Sequence, residues 1–277
     1  MRTLVLLCAA AVLAWSQASA PAKPEPPFSQ HVMQVKQYSQ AENEAIVAKF
    51  KTLRTTDVYD GLQAVGLHRV TVMDHDINPM WVDRENFTHA VYGVAVTLRL
   101  VPPQENPPTT ELQNNTEMSQ WQRTWSQRNM AGGYAAYLTP DTVLVIDAPL
   151  RADNGFCGSN NALGWKLRGM RGIVTSAGCR DSDEMAKEGI PVYQRDSTRW
   201  INEGTIAVES YNTPVVVGSV LVMPGDIIVA DSDGVAVVPR AKAELVAKIA
   251  REIRDGDNKT RRSLYEKGGM KPDFTLK

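Results

Sequence analysis

The chain has 277 residues, 43% of them hydrophobic and 22% charged, which excludes a disordered, collagenous or coiled-coil protein. Lys and Arg total 30 against 31 for Asp and Glu, so the net charge is −1. A near-neutral chain has no overall field that attracts nucleic acid or an acidic membrane, so we expect neither as a partner. At this length we expect one large domain with additions.

The first twenty residues predict a secretory signal peptide, residues 1–20. Met1-Arg2 gives a short basic start, an apolar run extends from Leu4 to Ala14, and Ala18-Ser19-Ala20 offers small residues for cleavage. The apolar run is too short to span a bilayer. We therefore expect a secreted or periplasmic protein, without a membrane partner.

Two cysteines, Cys157 and Cys179, remain after cleavage of the predicted signal peptide, which contains Cys8. An oxidising compartment permits a disulfide between them. Their distance in space does not follow from the sequence, so two half-buried free thiols remain an equal alternative.

The first elements follow a proline-rich lead-in, residues 21–38. Ser39 is expected to cap a helix that ends near Leu53, and Thr55-Thr56-Asp57 to cap a second helix over residues 58–65. Residues 91–101 are β-rich and predict a strand.

Residues 102–133 predict an insertion. The segment opens with four prolines and continues with polar residues, and then Trp121 and Trp125 follow at a spacing of one helical turn. We expect one amphipathic helix whose tryptophans pack the insertion onto the body of the domain.

The rest of the chain alternates short apolar segments with helical patterns, which is typical of layered α/β architecture. Strands are predicted at residues 143–146, 172–176, 190–193, 215–223, 227–230 and 235–238, and helices at residues 160–170 and 241–253. Residues 256–277 are predicted to form a charged tail on the surface.

The segment that leads into the helix at residue 160 predicts an anion-binding site. The first turn of a helix presents unpaired N–H groups and the positive end of the helix dipole, and Gly158 would let an anion approach this backbone closely. The candidate substrate-binding residues here are Gly158, Ser159, Asn160 and Asn161. The alternative is that this loop is only a turn and a helix cap.

The following strand delivers Arg180 and Asp181, with Glu184 three residues further on. Arg180 can hold a carboxylate or enolate oxygen bidentately, and Asp181 is a suitable oxygen ligand for Mg²⁺ or Mn²⁺. Glu184 can support the waters of such a metal. These three residues are the candidate catalytic group, and Asp181 is the candidate metal ligand. The alternative is a surface Arg–Asp pair at the start of a helix.

Two other motifs carry ligand-type residues. Asp74-His75-Asp76 is a weak candidate because neighbours in an extended segment point in opposite directions. Asp231-Ser232-Asp233-Gly234 resembles the start of a calcium loop but lacks the glutamate at its twelfth position, so it predicts a β-turn.

Three stretches together resemble the RraA-like family, which includes 4-hydroxy-4-methyl-2-oxoglutarate aldolases that also decarboxylate oxaloacetate. They are VLVID…GSNNALGWKLRGMRGIVTSAGCRD, IPVY and TPVVVGSVLVMPGDIIVADSDGVAVVP. The resemblance covers roughly residues 53–253. It implies a swivelling β/β/α domain, a single α/β domain over residues 39–255 with N-terminal helices and a C-terminal helix. It also implies a homotrimer or hexamer with sites between subunits.

The resemblance further implies that Arg180 holds pyruvate, that Asp181 binds the divalent metal and that Glu184 matches the acid following the pair. Ser159 stands where the family carries another acid. Serine cannot be an anionic ligand, so we expect weaker metal binding, while the amides after Gly158 keep their ability to bind a carboxylate.

The resulting hypothesis is a secreted class II lyase that uses Mg²⁺ or Mn²⁺ to cleave a short 2-oxo acid to pyruvate. One alternative is an RraA-like enzyme with a different substrate, and another is a secreted carboxylate-binding protein without turnover. All three need residues 180–181 to face the helix start at residues 158–161 across a shared, water-accessible hollow.

Overall fold

The computed structural model describes residues 32–105, 111–130, 132–149 and 155–276. The predicted signal peptide and residues 21–31 of the predicted lead-in lie outside these residues. The chain falls into two units, Met1–Gln34 and Val35–Lys277, and the second unit is the one described below.

Two short helices open the domain. Helix α1 spans Gln40–Phe50 and begins with the predicted cap, because the Ser39 hydroxyl accepts from the Glu42 amide while the Glu42 carboxylate accepts from the Ser39 amide. Helix α2 spans Thr55–Ala64 and starts earlier than predicted. Asp57 lies inside its first turn, where its carboxylate accepts from the Arg54 amide at 2.9 Å.

The strands form one large sheet and a separate hairpin. In chain order they are β1 (Asn78–Pro79), β2 (Val91–Val101), β3 (Thr142–Asp147), β4 (Gly172–Thr175), β5 (Val192–Gln194), β6 (Ala207–Tyr211), β7 (Val215–Val217), β8 (Val220–Val222), β9 (Ile227–Asp231) and β10 (Gly234–Val238). The sheet has the order β1-β5-β4-β3-β2-β9-β10, and β6 also pairs with β2. Strands β2, β3, β4 and β5 are mutually parallel, and the remaining pairs are antiparallel.

The prediction of one strand over residues 215–223 was wrong, since this segment folds back as the β7–β8 hairpin. Gly218 and Ser219 at its turn both have positive φ, +52° and +61°. Positive φ at both central residues is the hairpin turn whose twist matches its strands. Gly218 and Ser219 alone interrupt the apolar run, and this two-residue interruption was the signal of a hairpin turn that the prediction overlooked.

Four more helices complete the domain: α3 (Asn115–Asn129), α4 (Ser159–Leu167), α5 (Ser182–Lys187) and α6 (Ala243–Lys267). Trp125 of α3 is buried, as expected for the insertion. Helix α6 continues beyond the predicted end at residue 253, so much of the predicted tail is helical. Arg254 holds this extension in place, because it is buried and lies 3.5 Å from the Asp57 carboxylate.

Both faces of the central sheet are buried, which explains its nearly continuous apolar strands. Along β3, Leu144 and Ile146 pack toward α4, while Val143 and Val145 pack toward the β7–β8 hairpin. Helices α1, α2 and α6 form a further apolar cluster with β9 and β10. This arrangement confirms the α/β class with helices at both ends. Within the described ranges, no helix has the length and apolar character of a membrane span.

Candidate functional site

Two chain segments meet beyond the ends of β3 and β4. Because these strands are parallel neighbours, their carboxyl ends lie at the same edge of the sheet. Gly155 and Gly178 form an isolated parallel bridge there. The Arg180 amide then donates to the Cys157 carbonyl at 3.1 Å. The start of α4 and the start of α5 are therefore held side by side.

Three glycines allow neighbouring parts of the chain to approach closely around this site. A Cβ on Gly178 would lie 2.2 Å from the Asp196 carbonyl oxygen, and one on Gly155 would lie 2.9 Å from the Trp200 carbonyl oxygen. A Cβ on Gly158 would lie 2.3 Å from Asp181 Oδ2. Real Cβ contacts are longer than this. A side chain at Gly155 or Gly178 would push its own segment away from the main chain at residues 196–200, and one at Gly158 would displace the Asp181 carboxylate.

Ser159 connects the two segments through both its backbone and its side chain. Its amide donates to Asp181 Oδ2 at 3.1 Å, and its hydroxyl donates to Glu184 Oε2. Ser159 is buried, whereas Asp181 and Glu184 are exposed. The serine therefore holds two carboxylates at the surface, although it supplies none itself.

Arg180 and Asp181 form a loose ion pair. Arg180 Nε lies 3.8 Å from Asp181 Oδ2, and each side chain is 38% exposed. Asp181 is also the residue before α5 and has left-handed backbone angles, φ 60° and ψ 44°. Such a conformation costs a non-glycine residue about 1 kcal/mol or more, and it is over-represented at functional sites. The pair is open to solvent and free to engage a ligand.

The start of α4 adds hydrogen-bond donors to this surface. The first intrahelical bond runs from the Ala162 amide to the Gly158 carbonyl, so the amides of Asn160 and Asn161 have no acceptor within the helix. The side chains of both asparagines are exposed. An anion could therefore bind to the helix amides and to the Arg180 guanidinium. A cation could bind to the carboxylates of Asp181 and Glu184.

The structure thus brings the predicted site residues together. For Asn160 and Asn161 it places the backbone amides at the site, while their side chains are exposed. Their roles in binding and catalysis stay predictions. Two cavities lie elsewhere: one of about 520 Å³ beside His89, and one of about 700 Å³ between α1 and α6. Neither includes Arg180 or Asp181.

Gln194, at the end of β5, is a positioning residue that the sequence reasoning missed. It is buried, its Oε1 accepts from the Cys179 amide at 2.7 Å, and its Nε2 donates to Ser197 Oγ at 3.0 Å. It fixes the turn that carries Arg180. A polar residue directly after the apolar IPVY segment was the available signal.

The two cysteines lie directly beneath the site. Cys157 Sγ and Cys179 Sγ are 2.9 Å apart, and both are free thiols in this structure. The hydrogen bond with Cys179, together with burial, raises the pKa of the Cys157 thiol well above its ordinary value. The thiols are fully buried and not half-buried as the sequence alternative had it.

The two weaker motifs serve structural roles. Asp74 accepts from the Ser219 hydroxyl and Asp76 pairs with Arg195. Asp231 Oδ1 accepts from the Asp233 amide at 2.9 Å in the turn between β9 and β10, which confirms the predicted β-turn.

A histidine that the sequence reasoning left aside also has a structural role. His89 Nδ1 accepts from the Asp83 amide at 3.2 Å, so its proton resides on Nε2, 2.8 Å from Ser232 Oγ. Burial lowers the pKa of His89 and keeps the ring neutral. An Nε2 that already carries a proton cannot take one from Ser232, so the pair is not a nucleophile and its base.

Comparison with known proteins places the chain in a family. The model of the RraA-like family, described as Aldolase/RraA, matches residues 55–237. A Halalkalibacterium halodurans protein, provisionally named a 4-hydroxy-4-methyl-2-oxoglutarate aldolase, is 27% identical over 230 residues, which cover 82% of this chain and 92% of that protein.

Solved structures share the fold. An uncharacterized protein from Pseudomonas syringae pv. tomato aligns with a TM-score of 0.64 and 18% identity, covering 86% of this chain and 94% of its own. Streptomyces coelicolor RraAS2, described as an unusual member of the RNase ES inhibitor RraA family, aligns with a TM-score of 0.59 and 24% identity, covering 78% of this chain and 96% of its own. The predicted architecture is confirmed.

Proposed function

Because the chain belongs to the RraA-like family, we propose that it is a divalent-metal-dependent carbon–carbon lyase that cleaves a short 2-oxo acid to pyruvate. The observation that carries the proposal is the 3.1 Å hydrogen bond from the Ser159 amide to Asp181 Oδ2. This bond sets Arg180 and two exposed carboxylates beside the amides of a helix start. The name of the Halalkalibacterium halodurans relative supports the reaction class.

The exposed carboxylates fit a hard divalent ion. Mg²⁺ is commonly held by one or two carboxylates and keeps several waters. Asp181 would hold Mg²⁺ or Mn²⁺, and Glu184 would orient its waters. In the described part of the chain no three His, Cys, Asp or Glu residues converge on one point, so the proposal is a site with few protein ligands. When bound, the ion supplies Lewis-acid polarisation of the substrate carbonyl.

The chain's own residues would bind and orient the substrate. The amides of Asn160 and Asn161 would hold its carboxylate at the positive end of α4. The Arg180 guanidinium would donate to the oxygen on which negative charge grows as the carbon–carbon bond breaks, a contribution of about 3 kcal/mol for a well-placed donor. Glu184 would position the water that returns a proton to the pyruvate carbon. No lysine is assigned, so no Schiff base is part of the proposal.

A carboxylate-binding protein without turnover is the second candidate. The observation that favours it is Ser159, whose hydroxyl engages Glu184 where the family resemblance leads us to expect an acid. The anion-binding amides do not depend on that acid. An enzyme with a different 2-oxo acid substrate would share the same geometry.

Location and assembly are part of the proposal. The basic start and apolar run within residues 1–20 support a secreted or periplasmic protein. The family resemblance supports a homotrimer or hexamer in which a neighbouring subunit completes the site.

The test is pyruvate release from oxaloacetate by the purified protein with Mg²⁺ or Mn²⁺, measured against the same metal alone. We expect a rate above the metal-only control that a chelator abolishes. If no excess rate is found and calorimetry shows pyruvate or oxalate binding without metal, the protein is a binder. Excess rate only with other 2-oxo acids indicates a different substrate.

A further inference from the structure

The two cysteines occupy equivalent places in the two segments of the site. Cys157 directly precedes Gly158, and Cys179 directly precedes Arg180. Their sulfurs are 2.9 Å apart. A disulfide bond measures about 2.05 Å, whereas even carbon atoms, which are smaller than sulfur, rest about 3.5–4.0 Å apart when not bonded. The sulfur atoms therefore need only a small displacement to reach bonding distance.

The backbones around the cysteines are already placed for such a bond. The isolated Gly155–Gly178 bridge and the 3.1 Å bond from the Arg180 amide to the Cys157 carbonyl hold the two segments side by side and parallel, with the spacing of neighbouring strands. Such strands lie about 4.8 Å apart, and Cys157 and Cys179 are one residue out of register, which corresponds to about 5.8 Å between their Cα atoms. This separation is inside the range of about 4.4–6.8 Å that a disulfide spans. Gln194 fixes the Cys179 amide from the other side at 2.7 Å.

We propose that Cys157 and Cys179 form a structural disulfide when the chain folds in an oxidising environment, and that this bond fastens the α4 start to the turn that carries Arg180. The proposal stands whether or not the protein is a lyase, because it concerns the framework of the site and not its chemistry.

Forming this bond requires an oxidant, which is a small disulfide such as oxidised glutathione. One protein thiolate attacks it, forming a mixed disulfide and releasing one glutathione thiol. The other protein thiolate then attacks the mixed disulfide and releases the second glutathione. One disulfide bond breaks and one forms, and the two protein thiols give up two protons and two electrons to the oxidant.

Burial determines when this exchange takes place. Cys157 is 0% exposed and Cys179 is 1% exposed, so a molecule as large as glutathione cannot reach them in the folded chain. The bond forms while the segments are still coming together and is then shielded from reduction. A chain that folds without an oxidant keeps both thiols.

The experiment uses the full-length Cys8→Ser chain, in which only these two cysteines remain. The protein is reduced in denaturant and refolded in parallel with oxidised glutathione and with reduced glutathione only. The protein is then denatured again and alkylated, and its intact mass is measured. A non-reducing proteolytic digest is analysed by peptide mapping. We expect no alkyl group after oxidative refolding, two after reductive refolding, and a peptide that joins Cys157 to Cys179. The oxidised form should melt roughly 5–10 °C higher.

Two alkyl groups after oxidative refolding, or a stable glutathione adduct on either cysteine, would overturn the proposal. So would disulfide-linked dimers as the main product. Folded reduced protein exposed to the same oxidised glutathione is the accessibility control, and rapid oxidation there would contradict the folding-time mechanism. None of these readouts uses turnover, so the result is separate from the test of lyase activity.

Discussion

Aspartates at the two ends of β9 and the aspartate where α4 meets α5 differ in how many main-chain hydrogen bonds they accept. Asp226 accepts from the Met223 and Arg240 amides, and Asp231 accepts from the Thr55 and Asp233 amides. At the candidate site, by contrast, Asp181 accepts from one amide, and its ion pair with Arg180 is 3.8 Å long and exposed.

This difference separates carboxyl groups that are committed to main-chain hydrogen bonds within the fold from those that are left for a ligand. A carboxyl group with a backbone donor on each oxygen is fixed in place, while a half-exposed carboxylate beside a half-exposed guanidinium keeps more of its hydrogen-bonding capacity. Arginine and aspartate in a sequence motif do not reveal which kind they are. The number and burial of their partners do.

The largest effect is expected for Arg180→Ala. Removing a donor aimed at developing negative charge should lower kcat/KM for oxaloacetate by about 100-fold, or about 3 kcal/mol. Steady-state pyruvate release is the measurement, and circular dichroism checks the fold. Arg168→Ala, which removes an exposed guanidinium just after the other end of α4, is the control and should leave the rate unchanged. Equal rates for Arg180→Ala and wild type would place Arg180 among the structural charges.

The next effect is a pH dependence of stability caused by Asp226. Burial raises its pKa to about 6. An unfolded aspartate titrates near 3.9, so between about pH 4 and pH 6 the folded state binds more protons, and the free energy of unfolding falls as pH rises. The loss attributable to this group is about 3 kcal/mol at most.

Urea denaturation across this pH range, in wild type and Asp226→Asn, measures the contribution. The amide cannot accept from both backbone donors, so the variant should be less stable throughout. The difference between the two curves should nevertheless shrink as pH rises. A difference that stays constant from pH 4 to pH 6 would show that Asp226 does not titrate in this window.

A smaller effect is expected for Gly158→Ala. Its Cβ would meet Asp181 Oδ2 at 2.3 Å, so the carboxylate must move away from α4. The carboxylate is the end of a half-exposed side chain and can swing aside, so the fold should be kept. Its displacement from the site should cost about a tenfold loss of activity, or about 1.4 kcal/mol, in the steady-state assay.

Gly164→Ala provides the matched control in the same helix. Nothing lies within 4 Å of its added Cβ, so this change should stabilise the protein by about 0.5–1 kcal/mol and preserve activity. If both alanine variants keep full activity, the close approach at Gly158 is not needed for function.

The smallest effect is expected for Ser159→Ala, which removes the donor to Glu184. One hydrogen bond is worth about 1 kcal/mol, so the Mg²⁺ concentration for half-maximal rate should rise about fivefold while the fold is kept. Metal titration of activity is the measurement, with exposed Ser182→Ala as control. An unchanged metal requirement would remove Glu184 from the proposed metal site.

Much of this site follows from the sequence because local rules fix it. The apolar segments of β3 and β4, connected through a helical pattern, favour parallel neighbouring strands, whose following loops then meet at one edge of the sheet. The Ser39 cap and the β9–β10 turn likewise depend on neighbouring residues alone.

The remaining features depend on contacts between distant segments. The Ser159–Glu184 and Gln194–Cys179 bonds exist only once α4, α5 and β5 are packed. The extension of α6 depends on Arg254 reaching Asp57 in another helix. The β7–β8 hairpin is a different case, because Gly218-Ser219 between two short apolar runs was a local hairpin signal that the prediction of a single strand overlooked.

The three glycines at the meeting point have a consequence for how such a site can diversify. At positions 155 and 178 the obstructing atoms are carbonyl oxygens of the main chain, which no rotamer change can move aside. Replacing either glycine with a larger residue would therefore require the main chain itself to move. New ligand preferences therefore have to arise from exposed side chains, such as those of Asn160, Asn161 and Trp200, while the backbone beneath them keeps its path.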